Sequence, residues 1–113
     1  MCGIIPASFG ISAKPEGHGY TLSRVDRPNP FFAVGTELKG HEFRYTKVIE
    51  WEGNYSSMVF ETVRGKGFVN RRDGICYKNM LATYSHVHAL GAPGWAPALV
   101  EAADRFREKR SYL

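Results

Sequence analysis

From Lys39 to Ile49 the side chains alternate, with Leu38, Gly40, Glu42 and Arg44 on one side of an extended chain and Lys39, His41, Phe43 and Tyr45 on the other. A period of two belongs to β-strands, whose successive side chains leave opposite faces. A chain organised around this stretch must therefore supply strands beside it. Glu52-Gly53-Asn54 reads as a hairpin turn, and Ser57 to Val63 returns with β-branched and aromatic residues, which predicts an antiparallel pair. Gly65-Lys66-Gly67 and Arg72-Asp73-Gly74 bracket a short strand, Phe68-Val69-Asn70, and complete an expected three-stranded meander. Further strands are expected at Ile4-Ile5, closed by Pro6, at Tyr20 to about Val25, stopped by Pro28-Asn29-Pro30, and from Met80 to His88. Ala7 to Gly19 reads as loop.

After Gly91-Ala92-Pro93-Gly94 the pattern changes. Leu99, Ala102, Ala103 and Phe106 recur at helical spacing, with charged residues opposite and Glu101 placed to pair with Arg105. One amphipathic terminal helix is predicted, with Pro97 tolerated in its first turn. Five or six strands with a single helix leave one face of the sheet uncovered, which implies a partner or a further segment of chain over it.

The 113 residues, 43% of them hydrophobic, suffice for one compact domain over 1–113 with a real core. Pro6, Lys14, Arg24 and Glu42 interrupt every apolar run short of the roughly 18 residues of a membrane helix. The first residues lack the basic leader of a secretory signal, so the cytoplasm is the expected location. Cys2 and Cys76 stand far apart, which argues against a disulfide framework and a thiolate zinc site. The net charge is +4, with local excess at Arg64, Lys66, Arg71 and Arg72, a set more in keeping with a solvated strand edge than with nucleic-acid binding.

Tyr84, His86 and His88 would share one face of a continuous strand. Such a pair of imidazoles could ligate a transition metal with His41, Glu42 or Cys76, could provide a general base for a thiol, or could simply be satisfied by hydrogen bonds. His41, Glu42, Phe43, Arg44 and Tyr45 are dense in groups that bind or position, and equally suit a strand with ion pairs across it. Gly65-Lys66-Gly67 lacks the spacing and the hydroxyl residue of a phosphate loop. Cys76 reads as a half-buried small hydrophobe.

Met1-Cys2-Gly3-Ile4-Ile5-Pro6, Gly19-Tyr20, Asn29-Pro30-Phe31-Phe32, Gly40-His41-Glu42-Phe43-Arg44-Tyr45 and Leu81-Ala82-Thr83-Tyr84-Ser85-His86-Val87-His88 follow one another in an order that resembles the cobyrinic acid a,c-diamide synthases. The resemblance runs over nearly the whole chain and falls on the C-terminal part of the family's glutamine amidotransferase domain. It implies an α/β, flavodoxin-like triad amidotransferase fold, in which a mixed sheet with an antiparallel meander is followed by a C-terminal helix. It implies that His86 is the base assisting a cysteine nucleophile, with His41, Glu42, Arg44, Tyr84 and His88 around it for substrate or partner binding and no metal. The family's nucleophile, a cysteine followed by two glycines, precedes the matching segment; Cys2 corresponds to a strand position instead. The expectation is thus half of an amidotransferase domain that needs an upstream segment. The partners implied are glutamine and a polycarboxylate tetrapyrrole, corrinoid or siroheme; nucleic acid and membrane are not expected. ATP and magnesium are expected only in a separate synthetase domain, with no cofactor in this chain. A half-covered sheet also favours a homodimer.

Overall fold

The computed structural model describes residues 3–111, with eight strands and one long helix. The strands are β1 Ala7–Ile11, β2 Gly17–Val25, β3 Glu37–Arg44, β4 Thr46–Trp51, β5 Met58–Arg64, β6 Arg72–Tyr77, β7 Met80–Ala82 and β8 His86–Val87; the helix is α1 Trp95–Ser111. β1 and β4 form a two-stranded sheet, and the other six strands a second sheet in the order β7-β6-β5-β2-β3-β8. Every strand pair among the described residues is antiparallel, so the antiparallel meander and the terminal helix of the expected fold are present, while the parallel pairing of a mixed sheet is not found among these residues.

Several expectations are corrected. The Lys39–Ile49 strand is two strands, because the chain turns at Tyr45, whose carbonyl accepts the Ser12 N–H at 2.7 Å while Arg44 O accepts the Glu16 N–H at 2.8 Å. β4 is thereby handed to β1, in the stretch expected to be loop, and Ile4-Ile5 lies before the strand rather than in it. β5 does not return along β4 but pairs with β2 and β6. Phe68-Val69-Asn70 is part of the β5–β6 turn, where Asn70 and Arg71 adopt positive φ, and Arg72-Asp73-Gly74 opens β6. The meander is therefore β5-β6-β7. The Pro28–Pro30 stop holds: Asn29 Oδ1 accepts the N–H groups of Phe31 at 3.0 Å and Phe32 at 2.8 Å, an Asx turn that reverses the chain.

The Met80–His88 strand is also interrupted. β7 and β8 occupy opposite edges of the six-stranded sheet, yet only Thr83, Tyr84 and Ser85 join them. A flat sheet would separate its outer strands by roughly 24 Å, five spacings of about 4.8 Å, whereas four Cα steps reach at most about 15 Å. The sheet must therefore roll until its edges approach. Asp73, fully buried, sits at this seam and accepts the N–H groups of Gly74 at 2.9 Å, Tyr84 at 3.0 and 3.1 Å, and Ser85 at 3.0 Å.

Two apolar clusters fill the interior. Val25, Leu38, Val59, Phe60 and Ala92 form one, with Phe32, Cys76 and Leu81 against it. Met58, Phe68 and Ile75 form the other, into which Val48 and Trp51 of β4 pack. Burying such side chains stabilises the fold by about 1.5–3 kcal/mol each.

The helix forms as predicted, but Leu99 and Phe106 remain half exposed over an open groove bordered by Phe31 and Asn79. Arg105 donates to Pro30 O at 2.6 Å rather than serving Glu101, and the helical ion pair is Asp104–Arg107 at 3.1 Å. No helix among the described residues is long and apolar enough to cross a membrane. The outward side of β2 and β3 carries Tyr20, 77% exposed, and Phe43, with no element of the described residues covering them.

Candidate functional site

The alternation in β3 sorts its residues into two different environments. Glu42 and Arg44, the charged side, turn inward, while His41, Phe43 and Tyr45 turn out. Polar groups so placed must find partners inside the protein. Glu42 Oε1 accepts the N–H groups of Gly67 at 2.9 Å and Lys66 at 3.3 Å, and its Oε2 faces Arg44 Nε at 3.5 Å, both side chains being almost fully buried. Gly67, at φ +75°, supplies the left-handed conformation that aims these amides at the carboxylate. Gly65-Lys66-Gly67, not a phosphate loop, holds an anion of the same protein, the Glu42 carboxylate.

Arg44 completes the arrangement. It donates to Thr46 O at 2.6 Å and Gly67 O at 2.8 Å, and its guanidinium lies 4.1 Å from the centre of the Tyr84 ring. Tyr84 in turn packs against Phe68, with its hydroxyl 3.2 Å from Thr46 Oγ1. Glu42, Arg44 and Tyr84, expected to bind substrate or partner, are here joined in one internal network that ties β3 to the β5–β6 turn and the seam. The ion pair is along one strand, two residues apart, rather than across strands.

His86 and His41 meet on the outside. They are direct partners in the β3–β8 register, with His86 Nδ1 3.2 Å from His41 Nε2 and the rings 4.8 Å apart at 82°. β8 can lie this close because residue 40 is glycine: a Cβ there would strike the His86 carbonyl. Beyond β8, His88 turns away and accepts the Leu90 N–H at Nδ1, 3.1 Å, closing the turn that returns Gly91 to Lys39. Tyr84, His86 and His88 therefore do not lie on one continuous strand: Tyr84 belongs to the seam, His86 opens β8, and His88 lies beyond its end. Beside the histidine pair lies a wide depression lined by His18, Gly19, Tyr20, His41, Glu42 and Phe43.

Among the described residues no three His, Cys, Asp or Glu side chains converge as a metal site would require. Cys2 lies outside the described residues. Cys76 is half-buried, and burial pushes its thiol up, opposite to what a nucleophile needs. The basic cluster is largely engaged in structure: Arg72 makes a two-pronged bond to Asp26 at 2.6 and 2.8 Å and reaches Met58 O, Arg71 donates to Val63 O, and Lys66 faces Glu16. The residue that sequence reasoning missed is Asp73. Asp-Gly reads locally as a turn, and only the distant amides of Tyr84 and Ser85 reveal its role.

With this geometry in view, the comparisons place the chain. Residues 1–94 match the model of the CobB/CobQ-like glutamine amidotransferase domain, and the chain belongs to that family. It is similar to the cobyrinate a,c-diamide synthase of Magnetococcus marinus, 36% identical over 112 residues, which are 99% of this chain and 23% of the relative. It is also similar to the enzymes of that name from Methanothermobacter thermautotrophicus, 31% identical over 106 residues (94% of this chain, 23% of the relative), and Methanosarcina barkeri, 36% over 110 residues (97% and 22%). The chain thus spans less than a quarter of the length of these curated relatives. No solved structure matches it.

Proposed function

We propose that this chain carries the base-bearing part of a glutamine amidotransferase, in which His86 takes the proton of a cysteine thiol supplied by the upstream segment of the domain. The thiolate attacks the glutamine carboxamide, and the released ammonia amidates carboxylates of a tetrapyrrole, corrinoid or siroheme, on a separate synthetase domain that uses ATP and magnesium. The flavodoxin-like core belongs to this reading, with the antiparallel sheet described above as its C-terminal extension. One observation carries the proposal: the histidine at the family's motif position stands on an exposed sheet edge, 3.2 Å from a second imidazole, with Nε2 free of hydrogen-bond partners among the described residues.

The test is glutamine hydrolysis by the purified chain, alone and joined to a segment carrying the family's cysteine. Hydrolysis in the joined protein should fall about 10²–10⁴-fold in His86→Ala, the usual contribution of a positioned base. An unchanged rate would remove His86 from the mechanism.

A second reading, a binding or assembly module, draws on the open aromatic side of β2 and β3, where Tyr20 and Phe43 present apolar surface to solvent. It predicts a stable chain that stays silent in both assays.

A further inference from the structure

We propose that His41 is the positioning residue for His86: its Nε2 accepts the Nδ1–H of His86, which leaves the His86 Nε2 lone pair as the base. The inference rests on the amidotransferase reading and adds to it the group that selects the ring's tautomer. A neutral imidazole has one N–H and one lone pair, and which nitrogen holds the proton is set by the hydrogen bond the other makes. His86 Nδ1 lies 3.2 Å from His41 Nε2, and its Nε2, on the far side of the ring, points away from that contact. Only a proton on Nδ1 leaves the outward nitrogen able to accept one.

The step then balances simply. The thiol S–H bond breaks, the proton joins His86 Nε2, and the resulting imidazolium keeps its Nδ1–H on His41, whose lone pair stabilises the new charge. In hydrolases of this kind the orienting group is a third side chain bonded to the base. Here the backbone builds that relation directly. His41 and His86 face each other across the β3–β8 ladder, Gly40 admits β8 at close range, and Ser85, next to His86, is tied to Asp73 and to Thr21 Oγ1. The flanking strand places Tyr20 opposite His41. His88 is held by the Leu90 amide and does not compete for either ring.

Nitrogen-15 correlation spectra of the histidine rings, recorded on this chain above pH 8, test the assignment without any need for activity. The expected result is His86 as the Nδ1–H tautomer, retained in His41→Gln, whose side-chain oxygen also accepts, and lost in His41→Phe. An Nε2–H tautomer in the unaltered chain, or an Nδ1–H tautomer indifferent to His41→Phe, overturns the proposal. In the joined, hydrolysing protein, His41→Phe should lower kcat by about 10- to 100-fold, the scale found for partners that orient metal-bound histidines and below the roughly 10⁴-fold loss when the orienting group of a triad base is removed, with substantial rescue by His41→Gln. Hydrolysis abolished by His86→Ala but untouched by His41→Phe would defeat this inference alone, whereas hydrolysis indifferent to His86→Ala would defeat the reading beneath it.

Discussion

The Asp73 carboxylate accepts the backbone N–H of Ser85 at 3.0 Å, joining β6 to the three residues that carry the chain from one edge of the sheet to the other. The same carboxylate holds Tyr84, which supports Arg44, and His86 follows directly after Ser85. A buried side chain with no place in the expected chemistry thereby determines where the candidate base begins.

Removing that carboxylate should be costly. Asp73→Ala strands the amides of Gly74, Tyr84 and Ser85, and a buried donor without a partner costs about 1–3 kcal/mol, so a loss of about 3 kcal/mol or more is expected in urea unfolding. The pH dependence has a definite sign. Burial pushes the Asp73 carboxyl up, against the three amides that pull it down, with the negative charge of Glu42 adding to the rise. A carboxyl raised in the folded state contributes stability that is complete below the ordinary carboxylate pKa, about 4, and is lost as pH climbs through the raised value. Asp73→Asn, which cannot titrate, should lack that decline; identical slopes in the two proteins would contradict it.

Asp26 titrates in the opposite sense. Its two-pronged bond to Arg72 holds the carboxyl below its usual range, with partial burial working against the shift. Its contribution is therefore present above about pH 4 and disappears as pH falls through the lowered value. Against Asp26→Asn, the unaltered chain should be more stable by about 1 kcal/mol at pH 7, and the gap should close in acid unfolding curves.

Local pattern alone identified β2, the β3 half of the long alternation, the Pro28–Pro30 stop and the terminal helix. It failed where a distant partner decides. Thr46 to Trp51 continues the alternation of β3, but amides from Ser12 and Glu16 bend the chain at Tyr45 and send that segment to β1. Met80 to His88 reads as one strand because nothing local marks the seam that Asp73 imposes. At the site, spacing and residue chemistry marked His41 and His86 as candidates among several, and only the family resemblance singled out His86 as the base. Their contact depends on β8 adding to the far edge of the sheet, a pairing between residues 45 positions apart. The same block singled out Glu42 and Arg44, and no sequence period distinguishes a charged strand face that meets solvent from one folded inward onto Gly67.

Gly40 gives the most direct structural handle on the histidine pair. A methyl group at residue 40 would collide with the His86 carbonyl and press on the side-chain Oγ of Ser85, whose backbone N–H is anchored by Asp73. β8 must then lift away from β3, and overpacking of this kind costs about 1–3 kcal/mol. Gly40→Ala should accelerate amide hydrogen exchange at Val87 and abolish the ring-to-ring contact between His41 and His86 in NMR. Gly94→Ala is the control, since its added methyl meets nothing within 4 Å and should leave both measurements as they are. Unchanged exchange at Val87 in Gly40→Ala would mean that β8 is not held against β3 by the close approach that glycine allows.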